Sequence, residues 1–449
     1  MIDAAGGRNI LDNFETSWGR TSWETVAERN PEFLVLIDYQ NGSGHLELLD
    51  FLKAHPAMGE TDAVKNERFV APRYAEPTPG PANIEAIRKI LAAMVMATDP
   101  GHLIPAGVPL ARRLMIAAGI TVLLDGSLLA SVALGSAWLP SADVAAILVE
   151  AVIGPAAGAL GFEATEGPIS RIVLELRAPR AILAAIVGAG LAVVGMLLQS
   201  TTRNDLADPF LFGLSSGAAA GAVFVITVSG DVLGIWTLPV AAFVGGLASA
   251  ASVLLLVARA GIGGPERLIL AGLAVSFLLA ALTNFLIFSS DQGAAHSVFF
   301  WSLGGLGLAR WDNLGFATGG LFVIMATALV LRHALDALLA GDDAAESLGV
   351  SPRRTRVIVF IAAAFATASF VALSGVIGFV GLMVPHLGRA LVGPLHGPLT
   401  LICAGIGAIL MLLGDIAART LLAPQELPLG NVIGAVGAVF VVVLVVRRA

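Results

Sequence analysis

The sequence predicts an all-α polytopic membrane protein with about ten transmembrane helices, preceded by a small N-terminal α/β half-domain. Of its 449 residues, 57% are apolar and only 13% are charged, and the mean hydropathy is +0.85. Such values are typical of polytopic membrane proteins. The charges are unevenly distributed, because nine basic and 15 acidic residues lie in the first 100 positions, against 17 and 18 in the remaining 349. The sequence therefore indicates an acidic polar segment followed by a nearly neutral membrane domain.

Residues 1–99 have the alternating pattern of a small α/β fragment. Helical periodicity and short apolar runs predict a helix over 22–28, a strand over 33–37, a helix over 45–54, a strand over 68–71 and an amphipathic helix over 83–96. Residues 100–112 are rich in proline and glycine and predict a linker. Residues 113–449 then form the transmembrane domain. We expect no signal peptide, because the first 20 residues lack an apolar core.

Ten segments of this domain are long and apolar enough to be spans, since a helix needs about 20 residues to cross about 30 Å of hydrocarbon. They lie at 114–138, 179–201, 210–229, 236–258, 266–289, 313–333, 354–374, 376–391, 398–421 and 428–446. If the first span starts on the inner side, twelve flanking arginines lie inside and five outside. This asymmetry follows the positive-inside rule and predicts that both termini are cytoplasmic.

Several classes of function are disfavoured by what the sequence lacks. The seven histidines and the single cysteine, Cys403, show no metal-binding spacing, so we expect no metal site and no catalytic residues. No Gly-x-x-x-x-Gly-Lys-Ser/Thr loop occurs, so we expect that ATP is hydrolysed by a partner subunit and that no cofactor binds this chain directly. A net charge of −7 gives no reason to expect nucleic acid as a partner.

Polar stretches interrupt the apolar pattern at a few places. They are Leu-Arg-Ala-Pro-Arg at 176–180, Arg-Asn-Asp-Leu-Ala-Asp-Pro at 203–209, Gly-Leu-Ser-Ser-Gly at 213–217, Gly-Asp-Asp-Ala-Ala-Glu-Ser-Leu-Gly at 341–349 and Gly-Phe-Val-Gly-Leu-Met-Val-Pro-His at 378–386. In this order they resemble the FecCD-type permease subunits of bacterial ATP-binding-cassette (ABC) importers for iron-siderophore complexes, haem and vitamin B12. The resemblance covers about three quarters of the chain.

The resemblance implies that Arg177, Arg180 and Arg419 face glutamates of an external substrate-binding protein. Opposite charges at such a rim would orient the docking partner. Without the resemblance, charge alone favours the interpretation of Arg177 and Arg180 as anchors that extend to the membrane interface. Arg419 could similarly be an i,i+4 partner of Asp415.

Residues 341–354 resemble the coupling helix of this family, which seats in a groove of the ATPase subunit. Ala345, Leu348 and Gly349 would form its contact face. Asp342 at the start and Gly349 at the end also fit a short helix, because acidic residues favour its N-terminus and glycine its C-terminal end. An ordinary solvated loop is the alternative.

For the transport path and its gating, the resemblance points to Asn204, Gly213, Ser215, Ser216, Pro385 and His386. Core packing is the alternative for the small residues, and a structural role is the alternative for the histidine. Pro385 is expected to break its helix and to leave carbonyl groups that neighbouring residues must satisfy. The family usually has proline where Asp205 stands, which leaves the geometry of that corner open.

The first 99 residues carry a second resemblance. Trp-Gly-Arg-Thr-Ser-Trp-Glu at 18–24 and Thr-Pro-Gly-Pro-Ala-Asn at 78–83 are similar to the C-terminal lobe of a binding protein from the same importers. Glu24 would correspond to a docking glutamate of that lobe, and a solvated helix charge is the alternative. A binding protein acts outside, whereas the predicted topology puts residue 112 inside. This conflict favours a gene fusion or a misassigned start.

Together these resemblances imply a multi-pass permease of the cytoplasmic membrane. It would pair with a second permease copy or a paralogue, with cytoplasmic ATPase subunits and with an extracytoplasmic binding protein. Its cargo would be an iron-siderophore or similar metal chelate, with haem and cobalamin left open. An ion-coupled secondary transporter is the main alternative and would use the intramembrane carboxylates Asp125, Asp291 or Asp415. A membrane sensor that binds ligand through residues 1–99 is another.

Overall fold

The computed structural model describes residues 22–36, 44–66, 68–70, 110–135, 139–154, 157, 167–230, 232–259, 265–339 and 341–448. The chain divides into two compact units. The smaller unit contains Met1–Val108 and Asp343–Val350, and the larger unit contains Pro109–Asp342 and Ser351–Ala449.

The N-terminal part of the smaller unit has the predicted α/β character. Its elements are α1 (Trp23–Glu28), β1 (Leu34–Val35), α2 (Gly44–Ala54), α3 (Asp62–Lys65) and β2 (Phe69–Val70). The strands pair in parallel, with Leu34 opposite Phe69, and a parallel pair requires a crossover connection such as the helical one found here. The first two predicted helices and both predicted strands are therefore present. The helix predicted over 83–96 lies outside the described residues.

The larger unit is helical. Its helices in chain order are α4 (Leu110–Ala133), α5 (Ser141–Ile153), α6 (Pro168–Thr202), α7 (Leu214–Ser229), α8 (Thr237–Arg259), α9 (Pro265–Phe288), α10 (Gln292–Ser302), α11 (Trp311–Val330), α12 (Arg332–Leu339), α14 (Pro352–Ser374), α15 (Val380–Val392), α16 (His396–Thr420) and α17 (Leu429–Arg448). Between α12 and α14 lies the short helix α13 (Asp342–Ser347), whose first residue belongs to this unit.

All ten predicted spans coincide with apolar helices of the structure. Within the described part of the chain, seven helices are long and apolar enough to cross a membrane: α4, α6, α8, α9, α11, α14 and α16. The other three predicted spans coincide with α7, α15 and α17, whose apolar helical segments have 10–17 residues. These observations, which rest on length and composition, confirm the all-α polytopic class.

The starts of α4 and α6 differ from the sequence prediction in an informative way. Helix α4 begins at Leu110, inside the segment expected to be a linker. Helix α6 begins at Pro168, well before the predicted start at 179, and a π-helical turn over Ile172–Arg177 lies just before Pro179. A proline inside a helix removes one i→i−4 hydrogen bond. The wider π turn accommodates this loss, so the helix continues through the proline.

Helices α6 and α14 form the centre of the bundle. Their most apolar windows are 83% and 78% buried, whereas those of α4 and α9 are 17% buried. Helix α6 packs against α11, α14, α15 and α16. Glycine permits the closest of these approaches, since a Cβ on Gly188 of α6 would overlap the carbonyl group of Gly407 in α16. Cys403, also in α16, is buried as a free thiol.

Candidate functional site

The polar residues of the central helix α6 lie near its two ends. Residues 181–198 are all apolar or glycine, whereas Arg177 and Arg180 precede them and Gln199–Arg203 follow them. Because buried polar groups require hydrogen-bond partners, each end of α6 gathers polar side chains from other helices. We call the first group the arginine cluster (Arg177, Arg180, Asp415, Arg419 and Glu426). We call Gln199–Arg203 the terminal turn.

Two arginines of the arginine cluster cap the C-terminal end of α4. Arg177 donates from Nη1 to two main-chain carbonyl oxygens, at 2.9 and 2.8 Å. Arg419 donates from Nη1 and Nη2 to two more, also at 2.9 and 2.8 Å. The acceptors are the carbonyl groups of Ser131, Val132, Ala133 and Leu134. Since the last carbonyl groups of a helix have no partner within it, the two guanidinium groups supply the missing donors.

Asp415 joins the remaining members of the arginine cluster. Its side chain is fully buried, and its two oxygens accept from Nε of Arg180 and Nε of Arg419, both at 2.9 Å. Arg180 also donates to both carboxylate oxygens of Glu426, at 3.2 and 3.0 Å. A buried carboxylate is costly unless it is paired. Asp415 is therefore held by two arginines and differs from the isolated carboxylate that an ion-coupled transporter would use.

The structure brings together the three arginines that the sequence assigned to docking. Arg177 and Arg419 are only 8% and 5% exposed, however, and their guanidinium groups cap α4. The side chain of Arg180 is 16% exposed, and that of its partner Glu426 is 52% exposed. The pair Arg180–Glu426 is thus the accessible part of the arginine cluster.

At the other end of α6, Gln199 compensates for a proline in α15. Pro385 lies inside that helix, so the prediction that it breaks the helix is wrong. Because proline has no amide hydrogen, the carbonyl group of Gly381, four residues earlier, lacks its usual donor. Nε2 of Gln199 donates to this carbonyl at 2.9 Å and to that of Leu382 at 3.3 Å. Oε1 of Gln199 accepts from Arg389 at 2.8 Å, which ties both helices together.

Ser200, the next residue of the terminal turn, belongs to a buried chain of hydrogen bonds. His396, the first residue of α16, is completely buried. Its Nδ1 lies 2.7 Å from Oδ1 of Asp336 in α12, and its Nε2 lies 2.7 Å from Oγ of Ser200. The carboxylate of Asp336 favours a proton on Nδ1 of His396. Oγ of Ser200 also donates to the carbonyl oxygen of Met196 at 2.8 Å, so the direction of its hydrogen bond with Nε2 depends on the tautomer of the ring. Ser200 is 3% exposed, so this Ser-His-Asp arrangement is structural and offers no access for a substrate.

A second chain of contacts connects the terminal turn to the start of α13. Arg356 of α14 donates from Nε to the carbonyl oxygen of Thr201 at 2.8 Å and from its two Nη atoms to Asp342 at 2.8 and 2.7 Å. Arg203 lies 3.3 Å from the same carboxylate. The hydrogen bonds from Arg356 hold the pKa of Asp342 below its usual value, although partial burial opposes them.

The corner between α6 and α7 is stabilised by local hydrogen bonds. Asn204 and Asp208 each accept, through Oδ1, a hydrogen bond of 2.9 Å from the amide two residues later, which is the Asx turn. Burial raises the pKa of Asp208 to about 6, and the hydrogen bond from Phe210 opposes this shift. Asp205, where the family usually has proline, lies 3.3 Å from Nη1 of Arg389. An ion pair thus occupies the position of the expected proline.

The other residues predicted for the transport path lie on α7 and α15. Gly213 precedes α7 with a left-handed φ of +78°, and its carbonyl oxygen accepts a 2.7 Å hydrogen bond from Ser249. Ser215 is buried and Ser216 is half-buried in the first turn of α7. His386 is half-buried, and its ring packs edge-on against Phe440 at a centroid distance of 5.6 Å.

The predicted coupling and docking residues of the smaller unit have different exposures. Helix α13 spans Asp342–Ser347, and Gly349 has a φ of +78° just after it, as the glycine stop predicted. Ala345 is buried, whereas Leu348 and Gly349 are exposed, so only the last two are accessible to a partner. Glu24 is exposed in the first turn of α1.

Sequence reasoning missed two residues of the terminal turn and most of its partners. The missed residues are Gln199 and Ser200 of the turn and their partners Asp336, Arg356 and His396. One available signal was the polar run Gln-Ser-Thr-Thr-Arg, which follows 18 apolar or glycine residues at the end of a buried helix. A polar run in such a position requires polar partners on neighbouring helices. In the described part of the chain, no group of three or more His, Cys, Asp or Glu residues could hold a metal ion.

The fold and its polar clusters define a multi-pass membrane protein of the transport-subunit class. Residues 121–447 match the model of the FecCD transport family, and the chain therefore belongs to that family. It is accordingly the permease subunit of an ABC importer, and ATP hydrolysis is carried out by separate ATPase subunits. Such permeases work together with ATPase and substrate-binding partners.

Several curated permeases are similar to this chain. The hemin transport system permease HmuU of Yersinia pestis is 38% identical over 63% of this chain and 86% of its own length. The cobalamin import permease BtuC of Halobacterium salinarum is 38% identical over 62% of this chain and 74% of its own length. The iron(3+) dicitrate permease FecD of Escherichia coli is 36% identical over 62% of this chain and 85% of its own length.

A solved structure supports the same fold. It is described as a metal-chelate type ABC transporter in an inward-facing conformation. Its TM-score is 0.64 at 30% sequence identity, and the match covers 74% of this chain and 99% of the solved chain.

Proposed function

We propose that this permease imports a bulky iron chelate, such as an iron-siderophore complex, across the cytoplasmic membrane. The observation that carries the proposal is the family match over residues 121–447, which contains both polar ends of α6. The names of similar permeases specify hemin, iron(3+) dicitrate and cobalamin. These compounds share one chemistry, because each is a metal ion enclosed by a large organic ligand.

The proposed assembly contains a second permease, either another copy of this chain or a paralogue. We place the contact at helix α9, which is 17% buried over its most apolar window and exposes large side chains such as Phe277, Leu278 and Phe285. The arginine cluster would face the outside and the terminal turn the cytoplasm, with both chain termini cytoplasmic. This orientation rests on the positive-inside distribution of the arginines.

In the proposed cycle, a loaded binding protein docks at Arg180, the accessible arginine of the arginine cluster. ATP binding in the partner ATPase subunits then moves the segment around α13, with Leu348 and Gly349 as its accessible residues. The helices that carry Asn204, Gly213, Ser215, Ser216, Pro385 and His386 would open the path on one side and close it on the other. This chain would bind no cofactor itself, because the partner subunits use the ATP.

Glu24 is exposed and could serve as the docking carboxylate of a binding-protein lobe. We propose that residues 1–99 derive from such a lobe. A Glu24→Gln variant with unchanged uptake would indicate that this carboxylate has no role in docking on the permease.

The test is uptake into proteoliposomes that contain this full chain, its ATPase partner and its binding protein. Hemin, iron(III) dicitrate, an iron(III)-hydroxamate and cobalamin are offered separately. We expect uptake of at least one iron chelate that requires ATP and the binding protein. Uptake that is driven by a proton or sodium gradient without ATP would contradict the proposal. Uptake of cobalamin alone would contradict the assigned cargo.

A matched pair of variants tests the docking site. Arg180→Ala removes the accessible arginine of the arginine cluster, whereas Arg310→Ala removes an arginine whose side chain is 63% exposed. We expect weaker binding of the binding protein for the first variant and unchanged binding for the second. Equal binding by both variants would place the docking site elsewhere.

A further inference from the structure

The terminal turn of α6 is connected to the α12–α13 region by two separate polar links. In the first link, Ser200 contacts His396, which contacts Asp336 of α12. In the second link, the carbonyl oxygen of Thr201 accepts from Arg356, which binds Asp342 at the start of α13. The two links therefore begin at consecutive residues of α6 and end at the two ends of the short segment 336–342.

The first link is the better protected of the two. His396 is completely buried and Ser200 is 3% exposed, so water cannot replace either partner without a rearrangement. The amide of His396 also donates to Oδ1 of Asp336 at 2.9 Å, so the carboxylate holds both the ring and the backbone of this residue. Breaking this link would leave a buried ring nitrogen of His396 without a partner, which is costly.

The second link is more exposed. The side chain of Asp342 is 31% exposed and that of Arg203 is 45% exposed, although Arg356 is 12% exposed. Gly341, just before α13, has a φ of +107°, a backbone conformation that glycine adopts readily. The chain therefore turns at this glycine before α13, while α12 is attached to α6 through the buried link.

Helix α6 is suited to carry a displacement to the other end of the larger unit. It is continuous from Pro168 to Thr202, and 83% of its most apolar window is buried by its neighbours. At its far end, Arg177 caps α4 and Arg180 binds Asp415 and Glu426. A shift of the terminal turn thus reaches the arginine cluster without passing through a flexible loop.

We propose that the chain Ser200–His396–Asp336 transmits the movement of the α12–α13 segment to α6. His396 is then a positioning residue that couples ATP use to transport, although it touches neither cargo nor nucleotide. This inference rests on the proposed function, because it requires that nucleotide-driven movement enters the permease near α13. It adds the route by which the movement reaches the central helix.

The test uses the full complex in proteoliposomes and the chelate that the wild type imports most rapidly among hemin, iron(III) dicitrate and an iron(III)-hydroxamate. Uptake and ATP hydrolysis are measured together for His396→Ala, His396→Gln and Asp336→Asn. His333→Gln is the control, because His333 is an exposed residue of the same helix α12. The amplitude of the thermal unfolding transition of each purified complex shows how much folded protein is present.

We expect His396→Ala to hydrolyse ATP at nearly the wild-type rate while the uptake per ATP falls by about 5- to 150-fold, the range of typical coupling energies between sites. Asp336→Asn should show a smaller decrease, since its amide oxygen can still accept from the ring. His396→Gln should recover part of the uptake per ATP, because the glutamine side chain keeps a hydrogen-bond donor and an acceptor. The control should keep the wild-type ratio.

An uptake per ATP in His396→Ala within twofold of the wild type would overturn the inference and leave the proposed function intact. So would an equal decrease in uptake and hydrolysis that follows the loss of folded complex, because that result indicates only a structural role. Absence of ATP-dependent uptake in the wild type itself would instead overturn the proposed function, and the inference with it.

Discussion

The side-chain amide of Gln199 takes the place of the backbone amide that Pro385 lacks. Its Nε2 lies 2.9 Å from the carbonyl oxygen of Gly381, the group that position 385 would contact in an uninterrupted helix. The proline can therefore remain inside α15 without leaving a buried acceptor unsatisfied. The conformation of α15 consequently depends on a residue of α6 that is far away in the sequence.

This relationship predicts a specific rescue. Gln199→Leu should lower the free energy of unfolding by about 1–3 kcal/mol, because it leaves the Gly381 carbonyl buried and without a donor. Pro385→Ala restores the missing backbone amide, so the same change at position 199 should cost less in that background. Thermal unfolding of the four proteins in detergent measures the difference. An equal cost in both backgrounds would show that Gln199 does not compensate for the proline.

The contacts within the arginine cluster predict that Arg419 contributes strongly to the stability of the folded chain. Arg419→Ala should destabilise the chain by about 3–5 kcal/mol, because it removes one partner of the buried Asp415 and two donors to the end of α4. Arg310→Ala should change stability by less than about 0.5 kcal/mol, as is usual for exposed positions. Denaturation in mild detergent compares the two. A similar small effect for both variants would mean that the arginine cluster contributes little to stability.

The two members of the pair Arg180–Glu426 should affect docking in opposite directions when each is replaced. Glu426→Gln removes the carboxylate that occupies Arg180, so the guanidinium group becomes more available to an acidic partner. We expect tighter association with the binding protein, by up to about 1 kcal/mol as for partly exposed ion pairs, and the gain should shrink at high salt. Surface plasmon resonance at two salt concentrations measures this effect. Weaker association of Glu426→Gln would mean that Glu426 itself supports docking.

The raised pKa of Asp208 predicts that the stability of the folded chain depends on pH. Its pKa in the folded chain is raised from 3.8 to about 6 by burial. Between these values the folded chain holds a proton that the unfolded chain has lost, so stability falls as pH rises from about 4 to about 6. Asp208→Asn should remove this decrease, which is at most about 3 kcal/mol because one pKa unit corresponds to about 1.4 kcal/mol.

Melting temperatures of the wild type and Asp208→Asn between pH 4 and pH 7 test this expectation. Asp343→Asn is the matched control, because Asp343 is an exposed carboxylate. The wild type and the control should show the same decrease with rising pH. A decrease that persists in Asp208→Asn would assign the pH dependence to another group.

The sequence predicted the order of the long apolar helices well, because a span needs a long apolar run and such runs are visible without a structure. It did not predict the shorter helices α5, α10 and α12. It predicted helix ends less well when a proline was involved. Pro179 and Pro385 both lie inside helices. In each case a feature other than the regular helical hydrogen bond makes up for the missing backbone amide. Neither the π turn before Pro179 nor the position of Gln199 beside Pro385 could be predicted from the local sequence.

The candidate site was predicted in part for a similar reason. The motif around Arg177 and Arg180 was visible, and the structure does gather these residues with Arg419. Their partners at the end of α4 are carbonyl groups, however, and main-chain acceptors leave no signal in a sequence. His396 and Asp336 are 60 residues apart, so their contact depends on how α12 packs beside α16.

The buried position of Cys403 makes this chain convenient for chemical labelling. Its thiol is enclosed beside Gly388, where an added Cβ would lie 2.8 Å from Sγ. Thiol reagents applied to the folded protein should therefore leave the native sulfur unmodified. Single cysteines introduced at exposed positions near each end of the bundle would then react without background. Reagents that cannot permeate the bilayer would thus reveal which end of each helix is in contact with the medium.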